Sequence, residues 1–491
     1  MKKLLAILLT ILVVGGIGAG VVTAVVYNKP ENVAIGAIKG VFEDFTEREE
    51  IEPVWNMLHG GSASVSVDKV KQDDYDLLNG GKFSGKIYFS EDAIMADDIK
   101  VDFEELQLNG SVYLGKDMVY VSEDKLFDAA YGIVYKDLAK DFEDSIFAYG
   151  SGSAYAIPDK EAYDQVMEIL ESLSDINIAE MEEDAKELLE THIENIWEIF
   201  CDNAEFESNT ESVRLNGEKE KVRVVTITMN ADDIANLVKD IYDYLCRDKT
   251  IGDFIDKYAE SFVSISLMDN DMSLGEMYEE YLEEMEDMVD DFCDEIENID
   301  ELDDFQIRIM TPKMSHKLLK MEIEFDGDTV FTLDFGKDGL KKTNEITIDI
   351  DGEELTYVIS ENTKKAYEAE LEYEGNTILE ISIDKSNETY TLKLGDGYLT
   401  IKGDFIQKGD TTTITVTKLT SSYSYGDGTK ATDSIKTDIT IVIDEKDDMP
   451  GIPSNFDRIS DITDKDIEKW IEDLPFASAK EDIQKVPESI R

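Results

Sequence analysis

The sequence has few of the residues on which most metal-binding and nucleophilic sites depend. Among 491 residues there are 3 cysteines and 3 histidines, and no H-E-x-x-H or C-x-x-C spacing occurs. An odd number of widely spaced cysteines also excludes a disulfide framework. We therefore predict no catalytic residue, no metal site, no cofactor and no enzymatic activity.

Each cysteine stands beside an apolar residue of a helical pattern, at Cys201, Cys246 and Cys293. This placement favours small buried hydrophobic side chains over reactive thiols. A Cys201–Cys246 disulfide is the alternative.

Basic residues are also scarce. Lys and Arg number 47 against 111 Asp and Glu, which gives a net charge of -64. A field of this sign repels nucleic acid and anionic lipid headgroups, so neither is expected as a partner. A solvated acidic coat that keeps a monomer soluble is the favoured interpretation, and calcium binding is the sharper alternative.

Charge is missing altogether from the 24 residues Leu4–Tyr27, which follow Lys2 and Lys3. A helix of this length spans about 36 Å, enough to cross a lipid bilayer. The two lysines favour a cytoplasmic N-terminus, so we predict a single-pass anchor with the body outside the cell membrane. A signal peptide cleaved after Ala24, which would leave a secreted body, is the alternative.

The remaining chain alternates between strand-like and helical patterns, which predicts an α+β protein with antiparallel sheets packed on amphipathic helices. The predicted divisions, after the anchor at 1–27, are a helix and first sheet at 28–158, a mainly helical segment with a β-hairpin at 159–304, a β-meander at 305–449, and a helix and tail at 450–491.

The helical segment contains a capped helix that begins at Asn230, with Asp233 three residues on. Its most acidic part, 276–304, carries 16 Asp or Glu, yet its apolar residues keep helical spacing. We predict that Leu282, Met285, Val289 and Phe292 pack inward. A calcium loop over 269–280 is disfavoured because Leu274 stands where glycine is required.

The meander alternates apolar and polar residues between Asp-Gly turns, which predicts about ten strands with one apolar and one solvated face. A sheet this wide is expected to curve around the helices. The apolar face is the candidate site for a hydrophobic ligand, and its predicted contacts are Tyr357, Tyr367, Ile381 and Tyr390.

Residues 131–164 read YGIVYKDLAKDFEDSIFAYGSGSAYAIPDKEAYD. This segment resembles uncharacterised, N-terminally anchored envelope proteins of Gram-positive bacteria, in which a similar S-I-F-A segment precedes a Ser/Gly loop and a helix. The predicted sheet with helices against it is also similar to the half-barrel of bacterial lipoprotein carriers. That likeness concerns the fold and does not confer a function.

Two functions follow as hypotheses. In the first, the chain is an envelope protein that binds a lipid or an apolar peptide between sheet and helices. In the second, it is a structural or adhesive surface protein whose helices fill the core.

Overall fold

The structure, a computed structural model, describes residues 29–48, 51–72, 75–78, 80–103, 106–124, 130–175, 178–258, 274–297, 305–325, 327–350, 352–395, 398–424, 430–451 and 456–473. The predicted anchor Leu4–Tyr27 lies outside these ranges, as do residues 269–273 of the calcium-loop candidate and residues 474–491 of the C-terminal tail. Among the helices within them, none combines the length and the apolar character that a membrane crossing requires.

Twenty strands fall within the described ranges. They are β1 (Ser62–Gln72), β2 (Tyr75–Asp76), β3 (Lys82–Phe89), β4 (Ala93–Phe103), β5 (Leu106–Gly115), β6 (Met118–Glu123), β7 (Tyr131–Val134), β8 (Glu205–Leu215), β9 (Glu218–Met229), β10 (Phe305–Thr311), β11 (Lys320–Phe325), β12 (Asp328–Asp334), β13 (Glu345–Ile350), β14 (Glu353–Asn362), β15 (Ala366–Tyr373), β16 (Asn376–Asp384), β17 (Thr389–Leu394), β18 (Leu399–Lys408), β19 (Thr411–Ser424) and β20 (Lys430–Asp444).

All these strands join one antiparallel sheet. Strands β8 to β20 follow one another across the sheet in sequence order. Beyond β20 the order is β1, β3, β4, β5, β6 and β7, and the short β2 pairs with the end of β1. The α+β class predicted from the sequence is confirmed.

The predicted first sheet and the predicted meander are therefore parts of one sheet. Strand β1 pairs with β20 from Ser62↔Asp444 to Gln72↔Ile435, across more than 360 residues of sequence. An edge strand exposes a row of unpaired backbone N–H and C=O groups, and this pairing satisfies the edges of both parts. Alternation along a strand does not reveal its partner, so the sequence pattern did not predict this join.

Ten α-helices lie in the described ranges: α1 (Pro30–Thr46), α2 (Glu52–Gly60), α3 (Leu138–Glu143), α4 (Lys160–Asp175), α5 (Ile178–Asp202), α6 (Ala231–Arg247), α7 (Thr250–Tyr258), α8 (Leu274–Glu284), α9 (Glu286–Glu297) and α10 (Asp464–Asp473). Helix α6 begins at the predicted capping box, in which Asn230 accepts from the Asp233 N–H at 3.0 Å and the Asp233 carboxylate accepts from the Asn230 N–H at 3.0 Å.

The main core lies where α1, α5, α6 and α9 pack on one face of β9 to β11. Ile227 on β9 and Ile309 on β10 are fully buried there, beneath Val33 of α1 and Leu237 of α6. Burial of such side chains stabilises the fold by about 1.5–3 kcal/mol each. The helices thus cover one end of the long sheet.

The acidic segment packs on this core as predicted, although Met285 divides it into α8 and α9. Leu282 and Ile296 are buried, Phe292 packs against the core, and Met285 and Val289 are half-buried, whereas Met288 is 66% exposed. The carboxylates of Glu283 and its neighbours face solvent. The segment is therefore a packing element with an acidic outer surface.

The opposite face of the sheet is less uniformly polar than predicted. A second buried cluster lies there at the helix-covered end, formed by Leu215, Val222, Val224, Met310 and Leu319. At the far end Tyr120 is buried beneath Phe456, with the ring centroids 6.3 Å apart. Alternation reports which residues share a face, but it does not report which distant segment covers that face.

Candidate functional site on the apolar face of the sheet

The four predicted ligand contacts lie on four consecutive strands, β14 to β17. Tyr367 faces Ile383, which in turn faces Tyr390, and Ile381 faces Ala369. Tyr357 faces Leu371, which is two residues after Ala369 on β15. Because directly opposed residues of antiparallel strands point to the same side, all four share one face of the sheet.

Three of the four residues meet in a small apolar cluster. Its buried members are Ile359, Tyr367 and Ala369, and Tyr357, Ile381 and Ile383 pack against them half-buried. Alternation predicts that Ile359 and Ile383 lie on the apolar face, but the four predicted ligand contacts include neither of them, nor Ala369. We call these residues, together with Tyr390, the tyrosine cluster.

Tyrosine hydroxyls supply the polar groups of the tyrosine cluster. The Tyr357 and Tyr367 hydroxyl oxygens are 2.5 Å apart and share a hydrogen bond. Burial, with a smaller contribution from the Asp404 carboxylate, raises the pKa of Tyr390. A raised pKa keeps this phenol protonated and uncharged at neutral pH, as an apolar environment requires.

A glycine makes room for Tyr390. A Cβ at Gly403, on the neighbouring strand β18, would lie 2.8 Å from Cε1 of the Tyr390 ring and 1.7 Å from the Thr415 carbonyl oxygen. The β18–β19 register shifts between Lys402 and Gly403, which marks a bulge. Bulges bend a strand and redirect side chains beside functional sites.

The apolar face continues from the tyrosine cluster across half-exposed side chains. Leu371, Leu379 and Leu394 follow one another across β15 to β17, and Leu394 is 36% exposed. The same face reaches β3, where Phe83 is 40% exposed. Among the described residues, the helix contacts with the sheet concentrate on β8 to β10 and on β1, β3 and β20.

The reverse side of the same strands is polar. Lys393 pairs with Glu380 across β16 and β17 at 2.6 Å, and Thr391 lies beside Lys402 on β18. These strands therefore present an apolar surface on one side and a charged surface on the other. This two-sided pattern is the one predicted from alternation.

The histidines and cysteines lie apart from this face. His192 is buried, with Nδ1 2.6 Å from the Tyr244 hydroxyl and Nε2 3.2 Å from the Thr250 hydroxyl. These contacts tie α5 to α6 and α7. In the described ranges, no group of three or more His, Cys, Asp or Glu side chains is arranged to hold a metal ion.

The cysteine prediction is only partly correct. Cys293 is buried and Cys201 half-buried, but Cys246 is exposed. None of the three is in a disulfide, so the alternative Cys201–Cys246 bond does not form. Burial, together with the Glu31 carboxylate, raises the pKa of Cys201 to about 12. Cys201 is therefore a thiol at neutral pH and a weak nucleophile.

Comparison with known proteins finds no protein family and no curated protein that matches this chain. Among solved structures, the chain is similar to one described as the complex structure of Pseudomonas aeruginosa MucA/MucB, at 8% identity over 82% of this chain and 92% of that chain. The TM-score is 0.10, which carries no argument about fold or function. The resemblance to the anchored Gram-positive envelope proteins stays a prediction.

Proposed function

We propose that this chain is a non-enzymatic binding protein that holds the hydrocarbon part of a single-chain amphiphile against the apolar face of β14 to β18. One observation carries the proposal: a continuous apolar face leaves the helix-covered core and remains half-exposed around the tyrosine cluster. Large apolar surfaces that stay accessible on a folded protein mark binding sites.

The chemistry of the face favours a hydrocarbon chain. Aliphatic surface is supplied by Leu371, Leu379, Ile381 and Leu392. Burying such surface beneath a hydrocarbon chain contributes about 25 cal/mol to the binding free energy for each Å² removed from water. Adjacent strands lie about 4.8 Å apart, so a row of these residues gives an extended chain successive contacts.

The charge of the protein restricts the head group. A net charge of -64 repels an anion, so a fatty acid carboxylate or a phosphatidic acid is disfavoured. The hydroxyls of Tyr357, Tyr367 and Tyr390 supply neutral hydrogen-bonding groups beside the aliphatic row. A neutral amphiphile such as a monoacylglycerol fits this combination.

The proposal is tested by titrating the full chain with a fluorescent monoacylglycerol, with fluorescent oleate as the anionic comparison. We expect saturable binding of the monoacylglycerol and weaker binding of oleate. Ile381→Glu and the more exposed Leu394→Glu each place a carboxylate on the apolar face, so each is expected to weaken binding about tenfold or more.

Thr391→Glu is the matched control, because it adds the same charge to the polar side of β17 beside Lys402. It is expected to leave the affinity within about twofold of the parent protein. A titration without saturation, or equal losses in all three variants, would rule out the proposed face and favour a structural or adhesive protein.

We further propose that Leu4–Tyr27 anchors the body at the outer side of the cytoplasmic membrane, where a lipid ligand would be close by. Protease added to wall-stripped cells should then digest residues after Tyr27. Complete protection of the body until the membrane is broken would place it in the cytoplasm and contradict this topology.

A further inference from the structure

A polar cavity of about 520 Å³ opens on the opposite side of the sheet from the apolar face, over β1, β3, β4, β5, β6 and β20. This volume is within the range of about 300–1,000 Å³ that is usual for small-molecule sites. Five serines and one threonine line it: Ser64, Ser66, Ser84, Ser111, Ser122 and Thr440.

Strand pairing arranges three of these hydroxyls in a row. Ser66 faces Thr440 of β20 on one side and Ser84 of β3 on the other. Within the part of the chain that the structure describes, no protein group forms a hydrogen bond with these three hydroxyls. Each retains a donor and two acceptor sites for a molecule in the cavity.

A second row runs beside the first. Ser64 faces Lys86, which faces Asp97, and Asp97 accepts a hydrogen bond from Ser111 at 2.5 Å. Ser111 in turn faces Ser122. The second row therefore combines three hydroxyls with one lysine and one carboxylate.

Two bulges meet in the floor of the cavity. The β3–β4 register shifts between Ser84 and Lys86, and the β4–β5 register shifts between Ala96 and Ile99. Asp98, inside the second bulge, has a φ of 51°, a left-handed conformation that a non-glycine residue adopts only at a cost. Bulges and local strain of this kind are concentrated at functional sites.

The charges of the cavity select against anions. Three carboxylates line it, those of Asp97, Asp98 and Asp124, against one lysine, Lys86, which forms an ion pair with Asp447. The Asp97 carboxylate accepts a hydrogen bond from Ser111, and no ion pair joins it to a basic side chain among the described residues. A phosphate or a uronic acid would be repelled.

We propose that this cavity binds a neutral sugar unit of an oligosaccharide. Vicinal sugar hydroxyls donate and accept in the same way as the serine and threonine hydroxyls of the two rows, and a carboxylate such as Asp97 accepts from two adjacent sugar hydroxyls at once. The open side of the sheet lets the neighbouring units of the oligosaccharide extend beyond the cavity. The site is independent of the proposed lipid-binding face.

Calorimetric titration of the full chain with maltotriose, triacetylchitotriose and trigalacturonic acid tests this inference. We expect saturable binding of at least one neutral trisaccharide at concentrations up to about 10 mM and weaker binding of the acidic one. Asp97→Asn is expected to weaken that binding about tenfold, since a charge-assisted hydrogen bond from the sugar is replaced by a neutral one. The double variant Ser66→Ala/Ser84→Ala is expected to weaken it as well.

Ser382→Ala, on the polar side of β16 and outside the cavity, is the matched control and should leave the affinity unchanged. Each variant is compared with the parent protein by thermal unfolding, so that loss of fold is separated from loss of binding. The site would be refuted by failure of both neutral trisaccharides to bind, by equal affinity for trigalacturonic acid, or by an Asp97→Asn affinity equal to that of the parent.

Discussion

Replacing Gly403 by alanine is expected to lower the free energy of unfolding by about 3 kcal/mol or more. The new Cβ would lie 1.7 Å from the Thr415 carbonyl oxygen, a backbone atom that cannot move without displacing β19. It would also lie 2.8 Å from the Tyr390 ring. Both the β18–β19 pairing and the tyrosine cluster must therefore shift. We expect the variant to lose affinity for the monoacylglycerol as well as stability.

The sign of the change in unfolding free energy distinguishes a crowded glycine from an ordinary one. An alanine in place of a strand glycine ordinarily stabilises a protein by about 0.5–1 kcal/mol, because the unfolded chain loses conformational freedom. Gly40→Ala is the control, since nothing lies within 4 Å of a Cβ at that position of α1. Denaturant unfolding should show stabilisation by Gly40→Ala. If Gly403→Ala were equally stabilising, the close approach of the Thr415 carbonyl oxygen to Gly403 would be wrong.

Removing the Phe305 side chain is the second large effect, with an expected cost of about 3–5 kcal/mol for Phe305→Ala. Phe305 is fully buried in the main core, and its ring centroid lies 4.9 Å from that of Phe325. The substitution leaves a cavity between the helices and the sheet. The folded state then loses both the buried apolar area of the ring and its packing contacts.

Phe83→Ala makes the same chemical change on the same apolar face, at a position where the side chain is 40% exposed. It is expected to cost about 1 kcal/mol, because water already reaches much of the ring. The difference between the two phenylalanines measures how unevenly the face is covered. Equal losses in urea-unfolding experiments would mean that the β3 region is as enclosed as the core.

The sequence predicted the local elements well because their signals are local. The capping box at Asn230 and the inward stripe that contains Leu282 and Phe292 are properties of a few neighbouring residues. Alternation likewise placed Tyr357, Tyr367, Ile381 and Tyr390 on one face, since side chains along a strand alternate with a period of two.

Non-local features were outside the reach of the same signals. The β1–β20 pairing joins residues that are more than 360 positions apart, and many alternating strands would have been equally suitable partners. The bulge at Gly403 gives no signal beyond an isolated glycine in a strand. Ser64 and Ser66 alternate with valines, which indicates a hydroxyl-bearing face on β1. That Ser84 lies opposite Ser66 depends on the pairing register of β1 and β3, which the sequence does not reveal.

Photo-crosslinking tests the proposed ligand face most directly. The full chain is labelled with a monoacylglycerol that carries a diazirine on its acyl chain, and the modified peptides are identified by mass spectrometry. We predict that labelling concentrates on β14 to β18, near Leu371, Ile381 and Leu392, and that unlabelled monoacylglycerol competes for it. Labelling that is confined to Leu4–Tyr27, or spread evenly over the chain, would contradict a lipid-binding role for this face.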